Sequence, residues 1–176
     1  MKAQLRLHGL AHALLGIGLA TSASLGTARD HHEPNDHRSA ATWCAERCDE
    51  VVTDWSLTAL QVITAADGYA DPMAASRSLA MMHLAMHDAA NAARPRFAHY
   101  ALAAAPSPDG KADAAVAAAT AAHDVLVALY PQPKATALAK TQLERIRLEA
   151  GIGAAIEAGA QLGKSAAAAM PTKRAN

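Results

Sequence analysis

Alanine fills 48 of the 176 positions, and that excess constrains the fold more than any other feature of the chain. Alanine has the highest helix propensity and gives up no side-chain entropy in a helix. Aromatic residues make up only 3% of the chain, and long runs of Val, Ile, Thr and Tyr of the strand-building kind are absent. The composition therefore predicts an all-α protein. It also predicts a thin core, because apolar burial stabilises by only about 25 cal/mol per Å² and a methyl side chain offers little area. Alanine-rich helices approach one another closely but need a larger partner surface. More chain, a partner subunit or marginal stability is expected.

Pro and Gly punctuate the chain into five helical segments. The first is expected over about 53–66, capped by Thr53 or Asp54 and stopped before Gly68. Trp55, Leu57, Leu60, Val62 and Ile63 supply its apolar area. The second starts at Asp71-Pro72, a capping acid followed by a first-turn proline. It runs to residue 93, because Pro95 bars continuation. Residues 94–110 form a connection with Pro95, Pro106, Pro108 and Asp109-Gly110 as turn signals. The third helix is expected over 111–130, the fourth over 134–150 and the fifth over 154–170, before a polar stub at 171–176. Gly159 and Gly163, four apart, permit close helix contact. Arg145, Arg147 and Glu149 read as a solvated face. Long helices with short connections argue for an antiparallel bundle of about five helices.

The first fifty residues differ from the rest. Residues 1–28 read as a signal peptide: Lys2 and Arg6 precede an apolar run over 10–20, then small residues suited to cleavage. That run of about 11 residues is too short for the roughly 20 that span a bilayer. Export to the periplasm or outside a bacterium by the general secretory route is expected, with no membrane attachment after cleavage. Residues 29–50 read as a polar arm. Within it, His31, His32 and His37 are candidate transition-metal ligands, against the plainer reading of a soluble tail. Cys44 and Cys48 are the only cysteines. A local disulfide in a bent segment, free thiols and a His/Cys metal site all remain open for them. Without the leader the chain holds 14 basic and 16 acidic residues. No basic patch is interleaved with aromatics, which argues against a nucleic-acid partner.

The most distinctive stretch is residues 75–92, ASRSLAMMHLAMHDAANA. At about 100° per residue, Ser76, Arg77, His83, His87, Asp88 and Asn91 fall within roughly 140° of one another, opposite Leu79, Met82 and Met86. Short hydrogen-bonding groups flanked by Ala point to close packing against another helix. Three readings of this face compete. In one it is a buried polar network, with Arg77 and Asp88 paired to a neighbouring helix and His83 hydrogen-bonded. In another, His83 and His87 at i, i+4, with Asp88 adjacent, hold a metal. In the third, Ser76, Arg77 and His83 belong to an oxyanion site.

Several blocks in order resemble bacterial vanadium-dependent haloperoxidase-like proteins of the type 2 phosphatidic acid phosphatase superfamily. They are Trp55, Ala74-Ala75-Ser76-Arg77, the run from Leu79 to Asn91, the block from Ala114 to His123, Leu129-Tyr130-Pro131, and Gly159 to Gly163 before Lys173-Arg174-Ala175. The likeness covers residues 51–176. It implies the N-terminal helical half of that family, incomplete relative to a two-bundle architecture. The active site would then lie in a C-terminal half. Such a site needs a Lys with a downstream Arg-Pro, a Pro-Ser-Gly-His block, and a Ser-Arg followed by His. Cations there neutralise vanadate or phosphate through charge-assisted hydrogen bonds. This sequence has no Gly-His pair, and its one Arg-Pro, Arg94-Pro95, has His87 where the family's spacing would place Lys. Ser76-Arg77 followed by His83 matches the third motif, but His87 stands where that motif has Asp, and Asp88 comes one residue later.

The resemblance thus implies no catalytic, cofactor or metal ligand in this chain, and vanadate only in an intact relative. The expected partner is a C-terminal catalytic half, either continuous with this chain or separately encoded. The alternative is a stand-alone exported helical protein that binds metal or acts as an interaction module. If a second half is missing, the chain should melt broadly and self-associate. A sharp cooperative calorimetric transition of a monomer would count against truncation.

Overall fold

A computed structural model describes residues 40–103 and 111–174, with side chains described for 49–103 and 111–170. The expected leader, the three histidines at 31, 32 and 37, and part of the proline-rich connection lie outside the described residues. Five α-helices and one 3₁₀ turn make up the regular structure there: α1 (Ala40–Ala65), a turn at Gly68–Ala70, α2 (Pro72–Ala93), α3 (Ala114–Leu129), α4 (Pro133–Ala150) and α5 (Ala154–Arg174). No strand occurs among the described residues.

The helix ends follow local chemistry. The Asp71 carboxylate accepts from the Met73 and Ala74 amides at 3.1 and 3.0 Å, with Pro72 in the first turn of α2. Asp113 caps α3 by accepting from the Val116 amide at 2.8 Å. Three residues that the composition assigned to α3, 111–113, are therefore its approach and cap. Gly151 closes α4 with φ of 86°, a left-handed value that glycine adopts without a Cβ penalty.

Two helices outrun their expected ends. α1 begins at Ala40 rather than near Thr53. Residues 40–52 contain neither Gly nor Pro, and extending an existing helix fixes one residue per hydrogen bond gained, without a new nucleus. Residues 40–50 of the expected polar arm are therefore helical. Cys44 and Cys48 lie on regular helical backbone instead of a bent segment, and their side chains are outside those described. α5 continues through Pro171 to Arg174, since a proline in the final turn removes a single backbone hydrogen bond.

α3 is the hub and packs against each of the other four helices. Every residue from 114 to 122 is buried. A helix enclosed on all sides has no polar face, and at this spacing it admits only small side chains. The helices alternate in direction. Tyr130 at the end of α3 donates its hydroxyl to Ser78 early in α2, at 2.9 Å, so α2 and α3 run antiparallel. The Asp113 amide bonds the Ala155 carbonyl at 2.9 Å, which sets α5 parallel to α3, while α4 packs against α1 and α3. The larger core side chains are Trp55, Ile63, Met82, Leu126, Ile146 and Met170, all buried.

α1 turns Val51, Trp55, Ala59, Val62 and Ile63 inward. Leu57 and Leu60, expected to add core area, fall on its outer side and are exposed. The basic and acidic residues late in α4 are exposed or half-buried, as a solvated face requires, but they also link helices. Arg145 bridges Asp54 of α1 and Glu149, and Arg147 pairs with Glu157 of α5 at 3.0 Å. The hydrogen bond that Arg145 donates to Asp54 raises its guanidinium above its ordinary pKa. Exposed pairs of this kind contribute little on their own.

The glycine pair on α5 is where α3 comes closest. A Cβ at Gly163 would meet the Ala117 carbonyl oxygen at 2.5 Å and the Thr120 Cβ at 2.6 Å, and one at Gly159 would collide with the Asp113 carbonyl. Gly163→Ala is therefore expected to destabilise the fold. Overpacking of about 3 kcal/mol outweighs a propensity gain of about 1 kcal/mol, a net loss near 2 kcal/mol measurable by urea unfolding. Ala158→Ser on the exposed side of the same helix should change little.

Candidate functional site

The polar stretch of α2 is split between two environments. Ser76, Arg77 and His87 are exposed, His83 is half-buried, and Asp88 and Asn91 are buried. The two buried groups are covered by the irregular segment after α2, rather than by a helix. That segment has no helix or strand to satisfy its amides, so side chains of α2 do so.

The Asp88 carboxylate has no exposed surface. Its Oδ1 accepts from the Tyr100 amide at 2.7 Å, and its Oδ2 accepts from the Ala101 and Leu102 amides at 2.7 and 2.8 Å. Successive backbone amides converging on one anion form a nest, and here the anion belongs to the protein itself. One turn further on, Asn91 serves the start of the same segment. Its Oδ1 accepts from the Arg96 and Phe97 amides, and its Nδ2 donates to the Phe97 carbonyl at 2.7 Å. His87 Nε2 donates to the Ala98 carbonyl at 3.1 Å, because a carbonyl only accepts, and its ring lies 6.2 Å from that of Phe97. The Arg94 guanidinium donates to the Ala93 and Ala112 carbonyls, both at 2.9 Å. It thereby ties the two ends of the connection together.

This geometry corrects the expected network in its partners. Asp88 bonds a loop, Arg77 projects from α2 without reaching it, and His83 has no hydrogen bond among the described residues. It also takes Asp88 and one nitrogen of His87 away from the metal reading. His87 Nε2 is committed to a carbonyl and Asp88 to three amides, and no group of three or more His, Cys, Asp or Glu gathers as metal ligands among the described residues. The oxyanion reading fares no better. The Ser76 hydroxyl donates to the Pro72 carbonyl at 2.9 Å, and Arg77 stands as a single exposed cation. Vanadate carries several negative oxygens and calls for converging cations, so these residues do not fit it.

Two features were not singled out from the sequence. His99 places Nδ1 3.9 Å from Asp88 Oδ1, buried and without a hydrogen bond among the described residues. His123 and Asp124 pair at 2.7 Å, with Asp124 beside a groove that Met81, Leu129, Lys164 and Met170 also line. Short polar residues at the end of a helix, just ahead of a proline-containing connection, were the only hint of the first. Nothing in the spacing marked the second.

Residues 53–161, more than half of the chain, match the family described as the vanadium chloroperoxidase N-terminal domain. The match begins in α1 and ends in the first turns of α5. Comparison with curated proteins and with solved structures gave no match.

The role of Asp88 as an internal anion can be tested directly. Asp88→Asn swaps an acceptor for a donor that faces an amide. It should destabilise the fold by about 2–4 kcal/mol, since charge-assisted bonds are lost and a buried amide is left unpaired. Hydrogen exchange at the Tyr100, Ala101 and Leu102 amides should accelerate more than exchange in α3.

Proposed function

The chain belongs to the vanadium chloroperoxidase N-terminal domain family, and from that membership we propose that it is the helical scaffold half of an exported haloperoxidase-like protein. Its catalytic residues would sit in a C-terminal half outside these 176 residues. The intact protein would oxidise halide with hydrogen peroxide or hydrolyse phosphate esters, with vanadate or phosphate held outside the domain described above. The observation that carries this reading is the family match across α1 to α5. Two features of the chain support it. Its sequence has no Gly-His pair, and the guanidinium of its one Arg-Pro is engaged with the backbone carbonyls of Ala93 and Ala112.

The domain's contribution would be structural. It offers a helical bundle, with residues 96–102 after α2 tied down by Asp88 and Asn91. Phe97, the chain's one phenylalanine, and Tyr100 are exposed on that connection. Rigid exposed aromatics are the residue types that anchor protein interfaces, which makes this connection a natural contact for the second half. Export rests on the sequence of residues 1–28. Among the described residues no helix is long and apolar enough to cross a membrane.

The test starts from the encoding DNA beyond the codon for Asn176. A continuing or frameshifted frame that encodes a Lys, an Arg-Pro, a Pro-Ser-Gly-His block and a final Ser-Arg-to-His block is expected. The joined product should then oxidise halide or cleave a phosphate ester when supplied with vanadate or substrate. The 176-residue chain alone should do neither and should give no heat on titration with orthovanadate. A stop codon followed by unrelated sequence, or vanadate binding by the chain alone, would overturn the reading. In that event a metal titration of His83→Ala/His87→Ala against the unsubstituted chain decides the metal-binding alternative.

A further inference from the structure

Residues 72–103, α2 and the connection after it, hold a single acidic residue, Asp88. Its carboxylate is fully buried, and three backbone amides meet its charge. The surface of this stretch therefore presents no negative side chain. It does present two guanidiniums, Arg77 on α2 and Arg96 on the connection, both exposed. Neither side chain has a hydrogen bond or ion pair among the described residues, whereas Arg145 and Arg147 on α4 are both paired. Large apolar side chains accompany them: Met73 is 76% exposed, Phe97 73% and Tyr100 45%. Met73, Arg77 and His87 lie within about 80° of one another around α2, and the His87 ring is 6.2 Å from that of Phe97. The face thus runs from the helix onto the connection. Asn91 holds the Arg96 and Phe97 amides, about 21 Å along α2 from Arg77. A partner meets groups on backbone that is already ordered, which lowers the entropic cost of binding.

We propose that this face docks an acidic polypeptide surface, whose carboxylates pair with Arg77 and Arg96 while its apolar side chains cover Phe97 and Tyr100. Charge selects the sign of the occupant. The two guanidiniums are unpaired and no acid shares their surface, so carboxylates gain partners and meet no like charge. The planar guanidinium also matches a carboxylate in bidentate geometry. Residue type selects a polypeptide. Protein interfaces are enriched in Arg, Met, Phe and Tyr and depleted in Lys and Glu, and residues 72–103 contain neither Lys nor Glu. Anionic lipid surfaces draw clusters of about 4–8 Lys and Arg, and nucleic acids call for many phosphate-neutralising cations. Two guanidiniums supply neither. A second copy of this face would set like charge against like charge. The inference rests on the surface itself, so a stop codon after Asn176 would overturn the second-half reading and leave the docking face as it is.

The probe is a peptide of three Glu-Glu-Leu repeats, capped at both ends and titrated into the isotopically labelled full chain. Amide NMR shifts report the binding. Saturable shifts are expected in α2 and at residues 96–101, with α4 and α5 unmoved. Binding should weaken as salt rises from about 20 to 300 mM, because exposed charges are screened. The double variant Arg77→Gln/Arg96→Gln should weaken it by about 10-fold or more, the effect of losing two exposed ion pairs. Phe97→Ser should also weaken it while leaving the salt dependence in place. Melting temperatures should stay unchanged in both variants, because all three residues are exposed. Lys164→Gln, at an exposed lysine on α5, should bind the peptide as the unsubstituted chain does. No shift at about 10 mM peptide, equal binding of a Gln-Gln-Leu peptide, or shifts centred on another face would each overturn the proposal. So would full affinity in the double arginine variant, or a preference for phosphatidylglycerol vesicles or a single-stranded oligonucleotide over the peptide.

Discussion

The enclosure of α3 sets the terms for the rest of the molecule. A stretch of nine successive buried residues, 114–122, cannot carry charge, and it cannot carry bulk if four neighbours are to reach the helix. Alanine meets both requirements, at the cost of little apolar area per residue. The glycines of α5 answer the same demand from the other side. With no Cβ at 159 and 163, the α5 backbone comes against the carbonyls of Asp113 and Ala117. Dispersion contacts between close backbones then replace part of what large side chains would give. The few large residues, Trp55, Ile63, Met82, Leu126, Ile146 and Met170, fill the remaining space.

A core this lean gives each buried polar group weight. Asp88 would be costly if left unpaired, yet its three amide donors turn it into the pin of the connection after α2. Asn91 does the same for the first half of that connection, and Tyr130 reaches Ser78 across the α2–α3 contact. Not every group is matched: Trp55 Nε1 and Thr120 Oγ1 are buried without a hydrogen bond among the described residues. Thr120 sits where α3 meets Gly163, so tight backbone approach and hydroxyl satisfaction compete at that crossing. The polar residues of α2 thus act mainly on the protein's own backbone. The chemistry suggested by His83, His87 and Asp88 at helical spacing gives way because carbonyls and amides of the loop claim two of the three.

Much of the architecture was legible in the residues. Asp71-Pro72 fixed one helix start, Pro95 and Gly151 fixed two ends, and the Gly159–Gly163 pair marked the close contact. The resemblance carried by residues 51–176 agrees with the family matched over 53–161. Other features were illegible for physical reasons. The extension of α1 to Ala40 turns on the low cost of propagating a helix, which leaves no marker residue. The exposure of Leu57 and Leu60 depends on which stripe of α1 meets α3 and α4, and both stripes are apolar enough to serve. The Asp88 nest depends on residues 12 to 14 positions away, whose backbone amides carry no sequence signature.

The sequence by itself determined the fold class, the start of α2 at Asp71-Pro72, the ends of α2 and α4 and the family, because these follow from local propensity, from the fixed φ of proline, and from ordered blocks of residues. Only the tertiary structure decided what the polar face of α2 does. A helical wheel places Asp88, Asn91 and His87 on one side, but it holds no account of the loop that folds back over them. Hydrogen bonds to backbone groups are set by where the chain returns in space, and the identity of the residues along the helix leaves that return unspecified.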